Sequence, residues 1–408
     1  MSDRSLLPAL FSVALAITAL PADATAQGAG DAVRIGVLTD QSGTFSALSG
    51  AGSVIAARMA AEDYGGKALG KRIEILEAEH GNKADVASAI ARKWFDVDGV
   101  GMIADLANSS VALAVQHLAR ERNKITMTSA SGTSALTGKA CSPTGFQWTW
   151  DTYSVAVSTG KAVIQQGGKS WYILAADYAF GHGMAEDLSA LVRANGGSIL
   201  GSVFHPLNTA DFSSFILRAQ SSGADVVALA NGGTDTVNSI KQSAEFGLTS
   251  GKQKLVGLAI FITDVHAMGL ASAHGLLLTT GFYWDRTPEA RAWSKRFFER
   301  MKKMPNMVQA GTYSSVMHYL RAVRAAGTDD TAAVMAKMKS TPINDFQMKN
   351  VRIREDGQVM RPSYSIQVKT PAESKGKFDF YKVGDEIPAD QAFRPLAEGG
   401  CDYAKAGK

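Results

Sequence analysis

Short apolar runs alternate with stretches of helical period along most of this chain, and that alternation limits the fold more than any other feature. "VRIGVLT", "IEILEAE", "VGMIA" and "KITMT" are strand-length and rich in β-branched residues. Helical patterns over residues 53–64, 85–97 and 110–122 separate them. Parallel strands need a crossover between them, usually a helix, and the sheet is then covered on both faces. The pattern restarts near residue 153 with "WYILAA", "ILGSVFH", "DVVALA" and "KLVGLAIF", separated by helical stretches over 181–194, 212–222 and 236–246. Three more helices are expected over 288–303, 311–326 and 331–338. "VRIREDGQVM" and "SYSIQVK" follow, read as a hairpin turned at Asp356-Gly357. A chain of 408 residues exceeds one ordinary core. The expected architecture is α/β, two doubly wound lobes plus returning segments.

The N-terminus has the layout of an export signal. Arg4 gives a basic start, "LLPALFSVALAITAL" an apolar centre, and Ala24-Thr25-Ala26 a small-residue cleavage site. Cleavage near Ala26 would place the mature chain in an oxidising compartment. Cys141 and Cys401 could pair there and tie the C-terminal tail to the first lobe; two separate buried thiols are the alternative. Their spacing matches no metal-ligand pattern. A net charge of +4, without basic clusters interleaved with aromatics, argues against nucleic acid.

In open α/β sheets, ligands collect beyond the C-terminal strand ends. That rule nominates "TDQSGTF", "ADLANSS" and "TSASGT" in the first lobe, and "ADYAFG" and "ANGGTD" in the second. Each should open a helix, whose unpaired N–H groups and positive dipole end suit a carboxylate. Within "MTSASGTSALT", the hydroxyls of Ser129, Ser131 and Thr133 add neutral donors. Catalytic signatures fail. "GGKALGKR" spells GxxxxGK, yet Arg72 stands where a phosphate loop needs Ser or Thr, and the stretch follows a helix instead of a strand. HExxH and GxSxG are absent from the sequence. His182, directly after "ADYAFG", is the one histidine at a stretch nominated for the cleft, where a solvated helix start accounts for it. Neither a cofactor nor a metal is expected.

"IGVLTDQSG", "SSVALA", "TSASGTSALTG", "DYAFG", "GADVVALA" and "EFGL", in this order and spacing, resemble the periplasmic solute-binding proteins of ABC importers, branched-chain amino acid (Leu/Ile/Val-binding) type. The likeness runs from about Val33 to Lys369. It implies the type I periplasmic binding protein fold, two lobes joined by a three-segment hinge near residues 148–153, 279–284 and 354–360. It also implies that Asn108, Ser109 and Ser110, with Ser131 and Thr133, hold a ligand carboxylate. The aromatic of the second-lobe motif falls at Phe180, beside Tyr178. Amino-acid binders of this type place a glutamate in the second lobe against the ligand ammonium. Here "GLAIFITD" puts Ala259, Ile260 and Phe261 about there. Asp235 or Asp264 would have to substitute, or the ligand lacks an amino group. Phe45 and "FYWD", with Trp284, offer aromatic walls, and Asn231 and Thr234 a polar edge.

The expected division is 1–26 signal peptide, 27–150 plus 283–355 first lobe, 151–282 plus 356–395 second lobe, and 396–408 C-terminal tail. The expected function is non-enzymatic. A periplasmic monomer captures a small carboxylate (an aromatic or oxo acid, or an amino acid) and delivers it to an inner-membrane ABC permease. A secreted α/β enzyme acting on a small carboxylate, or a ligand-sensing module of a receptor, are the alternatives.

Overall fold

The computed structural model describes Met1 and residues 31–248 and 251–405. The signal segment, residues 1–26, lies outside the described residues except for Met1. In the first lobe the order is β1 (Ala32–Thr39), α1 (Gly50–Asp63), β2 (Lys67–Ala68), β3 (Lys71–Glu79), α2 (Ala84–Asp96), β4 (Val100–Asp105), α3 (Ser109–Glu121), β5 (Ile125–Thr128) and β6 (Gly145–Gln147). These strands form one sheet in the order β2-β3-β1-β4-β5-β6, parallel apart from the β2–β3 pair. The second lobe holds α4 (Thr152–Gln165), β7 (Ser170–Ala176), α5 (Ala179–Ala194), β8 (Ser198–His205), α6 (Ser213–Ser221), β9 (Val226–Ala230), α7 (Thr234–Glu245) and β10 (Lys254–Gly257). Its sheet runs β10-β9-β7-β8, all parallel.

Short helices α8 (Ile262–Met268) and α9 (Leu270–Ala273) lead to β11 (Leu277–Thr280). The chain then returns as α10 (Pro288–Met301), α11 (Met307–Ala326) and α12 (Thr331–Ser340), with α10 and α11 packed on α1 of the first lobe. Strands β12 (Ser363–Val368) and β13 (Tyr381–Ile387) complete an antiparallel sheet, β11-β12-β13. Three chain stretches run together between the lobes. Gln147 N–H donates to Gly357 O (3.0 Å) and Val359 N–H to Gln147 O (3.0 Å), while the Arg361 guanidinium donates to Gly281 O.

Two local expectations need correction. The Asp356-Gly357 turn lies within "VRIREDGQVM", where Ile353 bridges Val359, and "SYSIQVK" pairs instead with β11 and β13. The "KLVGLAIF" run is strand only over Lys254–Gly257; its second half leaves the sheet. Turn chemistry and hydrophobicity are local properties, whereas pairing partners are set by the distant chain.

At the end of β4 the backbone turns through two left-handed residues, Asp105 (φ 79°) and Leu106 (φ 59°). Such residues cost about 1–3 kcal/mol each and persist only where surroundings hold them. Here Leu106 N–H donates to Leu38 O, and Asp105 O accepts from Ser129 and Ala130 N–H. The buried Asp105 carboxylate accepts from Ser53 Oγ (2.7 Å), with Thr312 (3.4 Å) and Ser129 (3.5 Å) hydroxyls further off. It thus gathers α1, α11 and the loop after β5. Burial pushes its pKa up to about 6 against these hydrogen bonds.

A folded-state pKa above the ordinary 3.8 favours the protonated acid. The stability from this site is therefore complete below pH 3.8 and is lost as pH rises through about 6. Denaturant unfolding of wild type and Asp105→Asn at pH 4 and pH 7 should show the wild-type advantage shrinking by on the order of 3 kcal/mol. A constant difference between the two would contradict this. Separately, a disulfide joins Cys141 to Cys401 across 260 residues. Replacing both by serine should cost about 2–4 kcal/mol of stability. Equal unfolding midpoints would mean the tail adds nothing.

Candidate functional site

The strand-end loops of both sheets face each other across a narrow cleft. Phe45, Leu48, Ala107, Ser109, Ala130 and Gly132 line it from the first lobe, and Trp150 from the first connecting stretch. Tyr178, Phe180, Gly232, Ala259 and Phe261 line it from the second lobe. The walls are aromatic. Phe45 and Phe180 flank Tyr178 at 6.4 and 6.0 Å, and Trp150 meets Phe180 and Phe261 edge-on at 5.8 and 5.3 Å. None of the lining side chains carries a charge. A wider depression beside β10, with Lys252, Lys254 and His274 on its rim, is an open surface groove away from the strand ends.

Hydrogen bonds hold the lobes together around this space. Thr44 Oγ1 donates to Asn208 Oδ1. Thr234 N–H donates to Thr44 O at 3.2 Å. Gly233 sits at φ +62°, and a Cβ there would fall 2.2 Å from Thr44 O, so only glycine permits this approach. On the other side, Asp187 of α5 accepts from Ser134 Oγ (2.9 Å) and Thr152 Oγ1 (2.7 Å).

Five of the expected residues line the cavity: Phe45, Ser109, Tyr178, Phe180 and Phe261. Ser131 stands behind Ser109, with their hydroxyls 3.0 Å apart. Asn108 is the N-cap of α3, taking the N–H groups of Ser110 and Val111, so Asn108 and Ser110 serve the helix end. Ser129 bonds Thr312 (2.8 Å) beneath the loop. Thr133 caps a short 3-10 turn, Ser134–Leu136, off the cavity wall. Asn231 is consumed below the wall by His205 (3.2 Å), Ser239 (3.3 Å) and Thr236 (2.8 Å). Thr234 bridges the lobes through its backbone. Trp284 lies elsewhere, donating to Phe378 O at 3.0 Å beside a separate depression.

The stretch expected to carry or lack an acid does reach the site, since Ala259 and Phe261 are in its wall. Neither alternative carboxylate is among the lining residues. Asp264 accepts from Phe261 N–H (2.9 Å) as part of a helix cap, and Asp235 accepts from Asn208 N–H (3.1 Å). Burial pushes both up to about 7. Trp150 escaped the strand-end rule because it lies on a connecting stretch; its signal was "WTWDT", an aromatic pair just before the Asp151 cap of α4.

The chemistry of the cavity is that of a binding site, with hydroxyl and aromatic groups converging on an enclosed space. Among the described residues, no cluster of three or more histidine, cysteine or acidic groups could hold a metal. No described helix is long and apolar enough to cross a membrane.

Comparison with known proteins agrees with this arrangement. The family described as periplasmic binding protein matches residues 32–377. A periplasmic binding protein from Burkholderia mallei is 46% identical, with a TM-score of 0.90 over 91% of this chain and 99% of its own. A branched-chain amino acid ABC transporter periplasmic ligand-binding protein from Burkholderia xenovorans is 38% identical, with a TM-score of 0.80 over 91% and 100%. An R. palustris solute-binding protein solved with benzoate shares the fold at 20% identity, with a TM-score of 0.78 over 91% and 99%. The chain belongs to the periplasmic binding proteins, and is a non-enzymatic substrate-binding protein of an ABC transporter, of the branched-chain amino acid type.

Proposed function

We propose that this protein, exported after cleavage near Ala26, captures a small monocarboxylate with a flat or apolar body and no ammonium group. It works as a monomer, and delivers the ligand to an inner-membrane ABC permease. One observation carries the ligand class: a cavity enclosed by both lobes has aromatic walls and no charged side chain. Helices α3, α5 and α7 all begin at its wall, with Ser109, Phe180 and Gly232 among the lining residues. Each helix start adds positive potential, about 0.3–1 kcal/mol toward an anion and more where partly buried. The same potential opposes a cation. A buried ammonium without a counter-charge costs several kcal/mol. Ser109, oriented by Ser131, is the neutral donor for the carboxylate.

A neighbour of the same fold, the R. palustris solute-binding protein, holds benzoate, an acid of this class. The ligand selects the form in which the lobes meet, so closure signals loading to the permease. The three adjoining chain stretches serve as the hinge, with residues 27–150 and 283–355 moving against 151–282 and 356–395.

Two measurements test the proposal. Calorimetric titration with benzoate, leucine and the 2-oxo analogue of leucine, at one pH, should show binding of the acids lacking an amino group. Leucine should bind at least a hundredfold more weakly, as expected for an unpaired ammonium. Tight leucine binding with both other acids ignored would reject the ligand class. Second, Ser109→Ala should weaken the bound acid about ten- to a hundredfold, the worth of one hydrogen bond to a charged group. Thr133→Ala, off the wall, should change affinity less than threefold; the reverse order would return the carboxylate to the Thr133 loop.

A further inference from the structure

One polar group of the cavity wall still lacks a partner. Trp150 is 5% exposed and lines the cavity, and its indole N–H finds no hydrogen-bond acceptor. Buried indole N–H groups usually have one. Trp148 donates to Ser314 Oγ (3.1 Å), Trp171 to Gly168 O (3.2 Å) and Trp284 to Phe378 O (3.0 Å). Trp293 also lacks an acceptor, yet its ring is stacked on Phe346 at 4.4 Å inside the core and is no part of the cavity wall. Trp150 alone combines an unpartnered N–H with a place on this wall.

Its ring is also fixed with unusual care. The six-membered edge lies on Gly132, where a Cβ would fall 2.5 Å from Cη2. Phe180 and Phe261 of the second lobe meet the ring edge-on. The Trp150 carbonyl accepts from Gln147 Nε2 at 2.5 Å, and Asp151 immediately caps α4. The first lobe, the second lobe and the connecting stretch thus all position one indole. Indole nitrogen donates and never accepts.

We propose that Trp150 is a specificity-determining residue whose indole N–H donates to a carboxylate oxygen of the ligand. This rests on the carboxylate reading above. Because Phe180 and Phe261 hold the ring only when the lobes meet, the bond ties ligand recognition to closure.

The test uses 15N-labelled mature protein, with benzoate and 4-methyl-2-oxopentanoate as probes. The Trp150 indole signal is identified by its loss in Trp150→Phe, or by direct assignment in wild type if that variant does not fold. On saturation with either acid, the Trp150 indole proton should move downfield more than any of the other five indoles. Trp150→Phe, which keeps an aromatic ring without the donor, should bind both acids at least tenfold more weakly. An unmoved Trp150 signal in wild type saturated with a bound acid would overturn the assignment and leave the carboxylate reading intact, as would unchanged affinity in a folded Trp150→Phe. Wild type that binds leucine and neither acid would remove the carboxylate reading, and this bond with it.

Discussion

Parallel pairing is the constraint from which the site follows. A strand that runs parallel to its neighbour must be reached by a crossover, so each strand's C-terminal end opens a loop and a helix. In this chain, two such sheets are set with those ends facing, β1, β4 and β5 on one side and β7 and β9 on the other. The starts of α3, α5 and α7 therefore converge on one small volume. Positive potential there comes from backbone geometry and requires no lysine or arginine. What remains for side chains is shape, and aromatic rings supply it.

That division of labour would let a charge-free wall serve the charged ligand proposed here. A fixed cation would bind any anion strongly and hold it after closure. Helix ends and a hydroxyl offer a weaker, directional field. Of the nearby carboxylates, Asp105 accepts from hydroxyls, Asp264 caps a helix and Asp235 accepts from a loop N–H, while one oxygen each of Asp105 and Asp235 stays without a partner. Each has its pKa raised by burial, which disfavours the anion that an ammonium would need. In the proposed mechanism, the interlobe bonds of Thr44 and Asp187 are few and polar, so they can break when the ligand leaves.

Much of this was legible in the sequence, for identifiable reasons. Helix and strand periods repeat over many residues, so the two parallel sheets and the helices between them could be read from apolar spacing. The strand-end rule then located the loops carrying Phe45, Ser109, Tyr178 and Phe180. Orientation within a loop was not legible. Ser109 and Thr133 look alike in sequence, yet one lines the cavity and the other caps a turn. Asn108 looked like a ligand group and is a cap, since capping and anion binding draw on the same residue types. Trp284 was grouped with the site by its aromatic neighbours, and a distant carbonyl claims it. Trp150 was missed because its exposure to the cavity depends on Gly132, Phe180 and Phe261, three residues from other parts of the chain.

The central claim is that the cavity excludes an ammonium group for want of a counter-charge. It is tested most directly by identifying what the protein carries when isolated from the periplasm of its own cells. Intact mass under non-denaturing conditions gives the bound mass, and release by denaturation gives the compound. A singly charged carboxylic acid without an amino group is the expected result. Leucine, isoleucine, valine or another α-amino acid, bound in equal proportion to protein, would contradict it.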